Sequence, residues 1–175
     1  MGTHHARAYT LNPSTTVVAV ADTDAENREL FAGRFEAQPY SSFEQMLAAD
    51  SLDIVGVILP VKANAEAVVA AAESGAKAVF CEKPMTASLA DADSMVEACE
   101  RNSAAFAAGV IPRNYPEYWK ARDMVVAGEI GEITGVNVYD PNGQGGCHGI
   151  NLALMSAQVA AVEWAVGSTG ADPHS

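Results

Sequence analysis

Short apolar runs rich in β-branched residues alternate with stretches of helical periodicity along most of this chain, and that alternation admits few folds. The strongest run is 53–60 (DIVGVILP). It falls far short of the roughly 18 apolar residues that span a bilayer. Its length and its valine and isoleucine content suit a strand covered on both faces. Residues 16–21 (TVVAVA) read the same way and stop at Asp22. Further strands are expected at 37–40, 78–81, 105–110 and 133–139. The proline in the first of these, Pro39, suits a sheet edge.

Helices are expected between them. Asp24 is a fair N-cap for a helix to Phe35, and Ser42 starts another with Phe43, Met46 and Leu47 on one face. A third runs over 63–74 and ends at Gly75, a good residue just past a helix. Ser88 caps one to about 102, and 115–126 ends before Gly128. Residues 3–11 also have helical character. Strand and helix in turn mean βαβ units, and right-handed crossovers then give a doubly wound α/β fold with a parallel sheet. Past Pro141 a glycine-rich loop, 142–146, precedes a helix candidate at 150–158, a strand-like run at 162–166 and a loop-like tail at 167–175.

Charge narrows the function. Ten basic residues stand against 22 acidic ones, a net charge of −12. Nucleic acid and anionic membranes need a basic footprint, so both are excluded as partners. The N-terminus lacks the basic segment and apolar stretch of a signal peptide. Cys81, Cys99 and Cys147 are sparse and lack CxxC spacing, so neither a disulfide framework nor a zinc site is expected, and a cytoplasmic location is the simplest. His4 and His5 are adjacent and would point about 100° apart on a helix, so they cannot chelate a metal as a pair. They read as part of the first helix or as a tag remnant.

A dinucleotide-binding sheet opens with a strand, then GxGxxG, then a helix, with an acid about 20 residues on. Gly2 stands directly before the 3–11 helix, and Asp22 follows 20 residues later at a strand end. Gly2 therefore reads as the last glycine of a fingerprint whose first strand and first two glycines are absent. That missing strand would lie between the 16–21 and 53–60 strands and leave two exposed edges.

Cys81-Glu82-Lys83-Pro84 closes the 78–80 strand, and GEIGEITGV lies downstream at 128–136. With TTVVAVADTD at 15–24 and LPVKAN at 59–64, this layout resembles the Gfo/Idh/MocA oxidoreductases from Gly2 to about Gly167. The resemblance implies a Rossmann domain over 1–112 and the start of an α+β substrate and dimerisation domain over 113–175. It implies hydride transfer between NAD and a sugar, polyol or related hydroxy/oxo compound. Lys83 matches the family lysine beside the nicotinamide and the substrate carbon, and the bond before the proline is often cis in the family. Glu82 would orient Lys83 or contact the cofactor. Asp22 would accept the adenosine ribose hydroxyls, which favours NAD over NADP because a 2′-phosphate would meet like charge. Gly2, Leu59, Pro60, Asn64 and Arg113 are the other cofactor contacts implied.

The family's later Asp-x-Gly-x-His-x-x-Asp pattern is met by Gln144, Gly146, His148 and Asn151. His148 keeps a group that titrates near neutrality. Gln144 and Asn151 can hydrogen-bond a substrate but cannot serve as acid or base. Catalysis would then rest on Lys83 and His148, with Lys83, Gln144, His148 and Asn151 as substrate contacts. A homo-oligomer would form through the second domain's sheet. With the fingerprint cut and the second domain short, weak or absent activity is expected of these 175 residues. A non-catalytic Rossmann-like binding protein and an inactive gene fragment are the alternatives.

Overall fold

The computed structural model describes residues 1–139 and 146–157. The chain divides into two units, Met1–Gly109 and Val110–Ser175. The first is α/β and runs α1 (Gly2–Leu11), β1 (Ala19–Ala21), α2 (Ala25–Phe35), β2 (Gln38–Tyr40), α3 (Phe43–Ala49), β3 (Ile54–Val57), α4 (Asn64–Glu73), β4 (Ala78–Cys81), α5 (Leu89–Arg101) and β5 (Ala105–Ala108). Capping sets several boundaries. Asp24, Ser42 and Ser88 each accept a hydrogen bond from the backbone N–H three residues on, at the starts of α2, α3 and α5. Gly75, at φ 93°, closes the turn after α4 in a conformation that side chains disfavour.

All strand pairs are parallel, in two sheets. β1 pairs with β2, and β3-β4-β5 form the other. In the larger sheet Val55 lies opposite Val79, and Val57 opposite Cys81. These residues are buried together with Val68 of α4 and Met95, Ala98 and Cys99 of α5. Alanines at 67, 71 and 72 give α4 a smooth face that packs on its neighbours.

Burial of the strands differs from expectation in one respect. The 16–21 and 53–60 runs read as covered on both faces, yet β1 is only half-buried, Val18 is 51% exposed and Ile54 42%. Among the described residues, β1 pairs only with β2 and β3 only with β4, so each has one edge that no described strand bonds.

The second unit holds α6 (Pro116–Val126) and α7 (Gly146–Ala157). Residues 133–139, expected as a strand, are not one; no described strand pairs with them, and Ile133 and Val136 line a shallow cavity with Ile150, Ala153 and Leu154 of α7. Helix α7 starts four residues before the expected 150, so His148 lies in its first turn. Tyr115, Tyr118 and Trp119 are 40–49% exposed. The run at 162–166 and the tail at 167–175 lie outside the described residues. No helix among the described residues is long and apolar enough to cross a membrane.

The packing separates two kinds of apolar residue. Met95→Ala is expected to lower the unfolding free energy by about 2–5 kcal/mol in urea denaturation, as for other buried methionine truncations. Val18→Lys, at an exposed position just before β1, is expected to change it by no more than about 0.5 kcal/mol. A large loss from Val18→Lys would show that this side chain is covered.

Candidate functional site

Parallel strands bring the loops after their carboxyl ends to one edge of each sheet, where ligands bind in open α/β folds. Asp22 follows β1, Leu59 and Pro60 follow β3, Glu82 and Lys83 follow β4, and Gly109 follows β5. A cleft of about 620 Å³ opens beside α1, lined by Met1, Gly2, Thr3, Asp22, Phe31 and Arg34, among others. Gly2 and Asp22, paired in the sequence by spacing alone, thus share one cavity. The start of α1 carries no side-chain cap and no acid in its first turn. Its free N–H groups and positive dipole end suit a phosphate. The Asp22 carboxylate accepts from the Asp24 N–H at 2.9 Å, which fixes its direction. These residues fit the adenosine and phosphate end of a dinucleotide.

Arg28 of α2 has a side chain only 17% exposed. It donates from Nη1 to the Asp22 carbonyl at 2.8 Å and so braces the end of β1. Phe31 and Arg34 of α2 also line the cleft and were not apparent from sequence; only their spacing from Asp24 along the helix face hints at them.

The turn after β4 is held from several sides. Glu82 is 5% exposed, the one buried carboxylate among the described residues. Its Oε2 accepts the Lys83 N–H at 2.7 Å, and its Oε1 lies 3.0 Å from His5 Nε2. The Lys83–Pro84 peptide bond is cis. Lys83 itself is half-buried, not enclosed. Asn64, at 1% exposure, donates from Nδ2 to the Pro84 and Met85 carbonyls at 3.2 and 3.1 Å. Its Oδ1 is buried with no partner among the described residues. Asn64 therefore grips the backbone of the turn from the start of α4. Leu59 packs on the core, and Pro60 precedes a 3-10 turn over Val61–Ala63.

In the second unit, His148 and Asn151 lie three residues apart on α7, on one helix face. His148 Nδ1 and Asn151 Oδ1 are both buried without a hydrogen-bond partner among the described residues. Buried polar atoms normally have one, so this pair is open to a ligand group. Arg113 is exposed on a 3-10 turn over Ile111–Asn114. Gln144 lies outside the described residues.

Cys81 ends β4 within the core and is fully enclosed. Burial, and secondarily the Glu82 charge, push its thiol up to about 11. The thiolate is the nucleophile, so Cys81 is inert near neutrality. Iodoacetamide at pH 8 is expected to leave Cys81 and Cys99 unmodified in the native chain and to label both after denaturation, read by peptide mass spectrometry. Rapid native labelling of Cys81 would contradict its enclosure.

Residues 1–110 match the family model of the Gfo/Idh/MocA proteins, described as an oxidoreductase family with an NAD-binding Rossmann fold. An uncharacterized oxidoreductase of Streptococcus pneumoniae serotype 4 is 36% identical over 110 residues, 63% of this chain and 30% of that protein. A D-xylose 1-dehydrogenase (NADP(+)) of Hypocrea jecorina is 32% identical over 122 residues, 67% of this chain and 31% of that one. The chain thus spans about a third of the length of these relatives. The crystal structure of an oxidoreductase from Sinorhizobium meliloti shares the fold, with a TM-score of 0.75 at 24% identity, over 90% of this chain and 49% of the other. The cleft at Gly2 and Asp22, the Glu82-Lys83-Pro84 turn and the match over 1–110 agree: the chain belongs to the Gfo/Idh/MocA oxidoreductase family.

Proposed function

We propose that the chain serves an NAD-dependent oxidoreductase acting on a sugar, polyol or related hydroxy/oxo compound. The observation that carries this reading is the cleft that joins the uncapped start of α1 at Gly2 to the Asp22 carboxylate. When bound, the nicotinamide cofactor takes up or supplies the hydride. The Gly2 and Thr3 amides at the start of α1 hold phosphate, and Asp22 accepts a ribose hydroxyl. Glu82 fixes the backbone from which Lys83 projects. Lys83 takes the proton from the substrate hydroxyl during oxidation and returns it during reduction. In the second unit His148 is the other proton-carrying group, and Asn151 donates or accepts a hydrogen bond without moving a proton. Gln144 is assigned the same hydrogen-bonding role, and Arg113 a contact to the cofactor. The sugar class is supported by the xylose dehydrogenase relative.

Asp22 argues for NAD, because a 2′-phosphate beside it would meet like charge. A second reading, NADP, is favoured by Arg34, which lines the same cleft, and by the NADP(+) of the Hypocrea jecorina relative. Saturation-transfer NMR reads even millimolar affinities and separates the two. NADH is expected to bind at least about tenfold more tightly than NADPH, and Asp22→Ser to narrow the ratio to about threefold. Equal binding by the unaltered chain would favour the second reading.

Turnover is followed at 340 nm with NAD and a panel of aldoses and cyclic polyols. At most weak activity on one of them is expected of these 175 residues, and it is expected to be lost in Lys83→Met. Undiminished activity in that variant would remove Lys83 from the reaction. Cofactor binding without any turnover would favour a non-catalytic binding protein.

A further inference from the structure

The Lys83 turn is held by a residue far from it in the chain. His5 lies in the first turn of α1, 77 residues before Glu82, and its side chain is only 18% exposed. Its ring packs on Phe80 of β4, with centroids 4.9 Å apart and planes tilted by 46°. That contact restricts rotation of the imidazole and aims Nε2 at Glu82 Oε1. On another side Gly109 leaves room for the carboxylate. A Cβ there would lie 3.0 Å from Phe80 Cζ and 3.4 Å from Glu82 Cδ.

A buried carboxylate needs a donor for each oxygen. Among the described residues, the donors to Glu82 are the His5 ring and the Lys83 amide. Two fixed donors on two oxygens define one carboxylate orientation. With the His5 donor gone, Glu82 gains by turning its free oxygen toward water, and that rotation withdraws the other oxygen from the Lys83 N–H. We propose that His5 is a positioning residue for Lys83, acting through Glu82, so that the first turn of α1 sets the direction in which Lys83 leaves β4. The same helix start lines the Gly2–Asp22 cleft, so one rigid element would place both cofactor and lysine. The functional consequence rests on the reading of Lys83 given above; the geometry does not.

Amide hydrogen exchange on the ¹⁵N-labelled chain tests this. In His5→Leu the Lys83 amide is expected to exchange at least about tenfold faster, while Val55 and Val79 in β3 and β4 keep their protection. In His5→Gln, whose side-chain N–H reaches about as far as Nε2, protection at Lys83 is expected to return to within about threefold of the unaltered chain. His5→Asn, one bond shorter, is expected to leave it lost; the Gln and Asn pair decides the matter if His5→Leu does not fold. Unchanged exchange at Lys83, loss of protection throughout the sheet, or equal behaviour of Gln and Asn would overturn the proposal. NADH binding is measured on the same samples. Failure of the unaltered chain to bind NADH would overturn the cofactor reading and leave the His5 result to stand by itself.

Discussion

One buried carboxylate organises the candidate site. Glu82 sits at the end of the central strand of the larger sheet, where its own N–H is bonded to the Val57 carbonyl. It cannot be solvated there, so its oxygens must be met by protein donors. Meeting them ties β4 to α1 through His5 and sets the Lys83 backbone. The turn's other side is closed by the Asn64 amide on the Pro84 and Met85 carbonyls. Breaking one partner of such a buried set costs more than an exposed ion pair of the Lys77–Asp53 kind, where water replaces the lost partner.

Much of the first unit was legible because local signals agreed. The 78–81 strand lies between Gly75, which ends α4, and a Glu-Lys-Pro turn, and it forms over those four residues. Helix α5 runs from the Ser88 cap as its sequence requires. Spacing also paired Gly2 with Asp22. The partner of His5 was not legible: periodicity gives the face of a helix but not what packs on it 77 residues later. Reading His4 and His5 together obscured this, since only His5 faces Glu82.

The second unit shows the opposite balance. Residues 133–139 alternate like a strand, but a strand needs a hydrogen-bonding neighbour and none is described. Gly146 and Gly149 weigh against a helix in isolation, so local propensity places the start of α7 later than the Gly146 at which it begins. Packing reverses that preference at Gly149, where a Cβ would come within 2.7 Å of a Val138 methyl group. The small residue is needed for the segment to lie against the helix. Tertiary contact, not local propensity, thus decides where His148 and Asn151 stand.

The central claim is that one end of the first unit, from the start of α1 to the turn after β4, receives a nicotinamide dinucleotide. Mapping backbone amide shifts during addition of NADH to the ¹⁵N-labelled chain tests it most directly. The account predicts the largest shifts at Gly2, Thr3, Asp22 and Lys83, with the faces of α4 and α5 packed in the core unmoved. Shifts confined to other surfaces, or none at NADH concentrations of several millimolar, about where the weakest specific binding is still read, would contradict it.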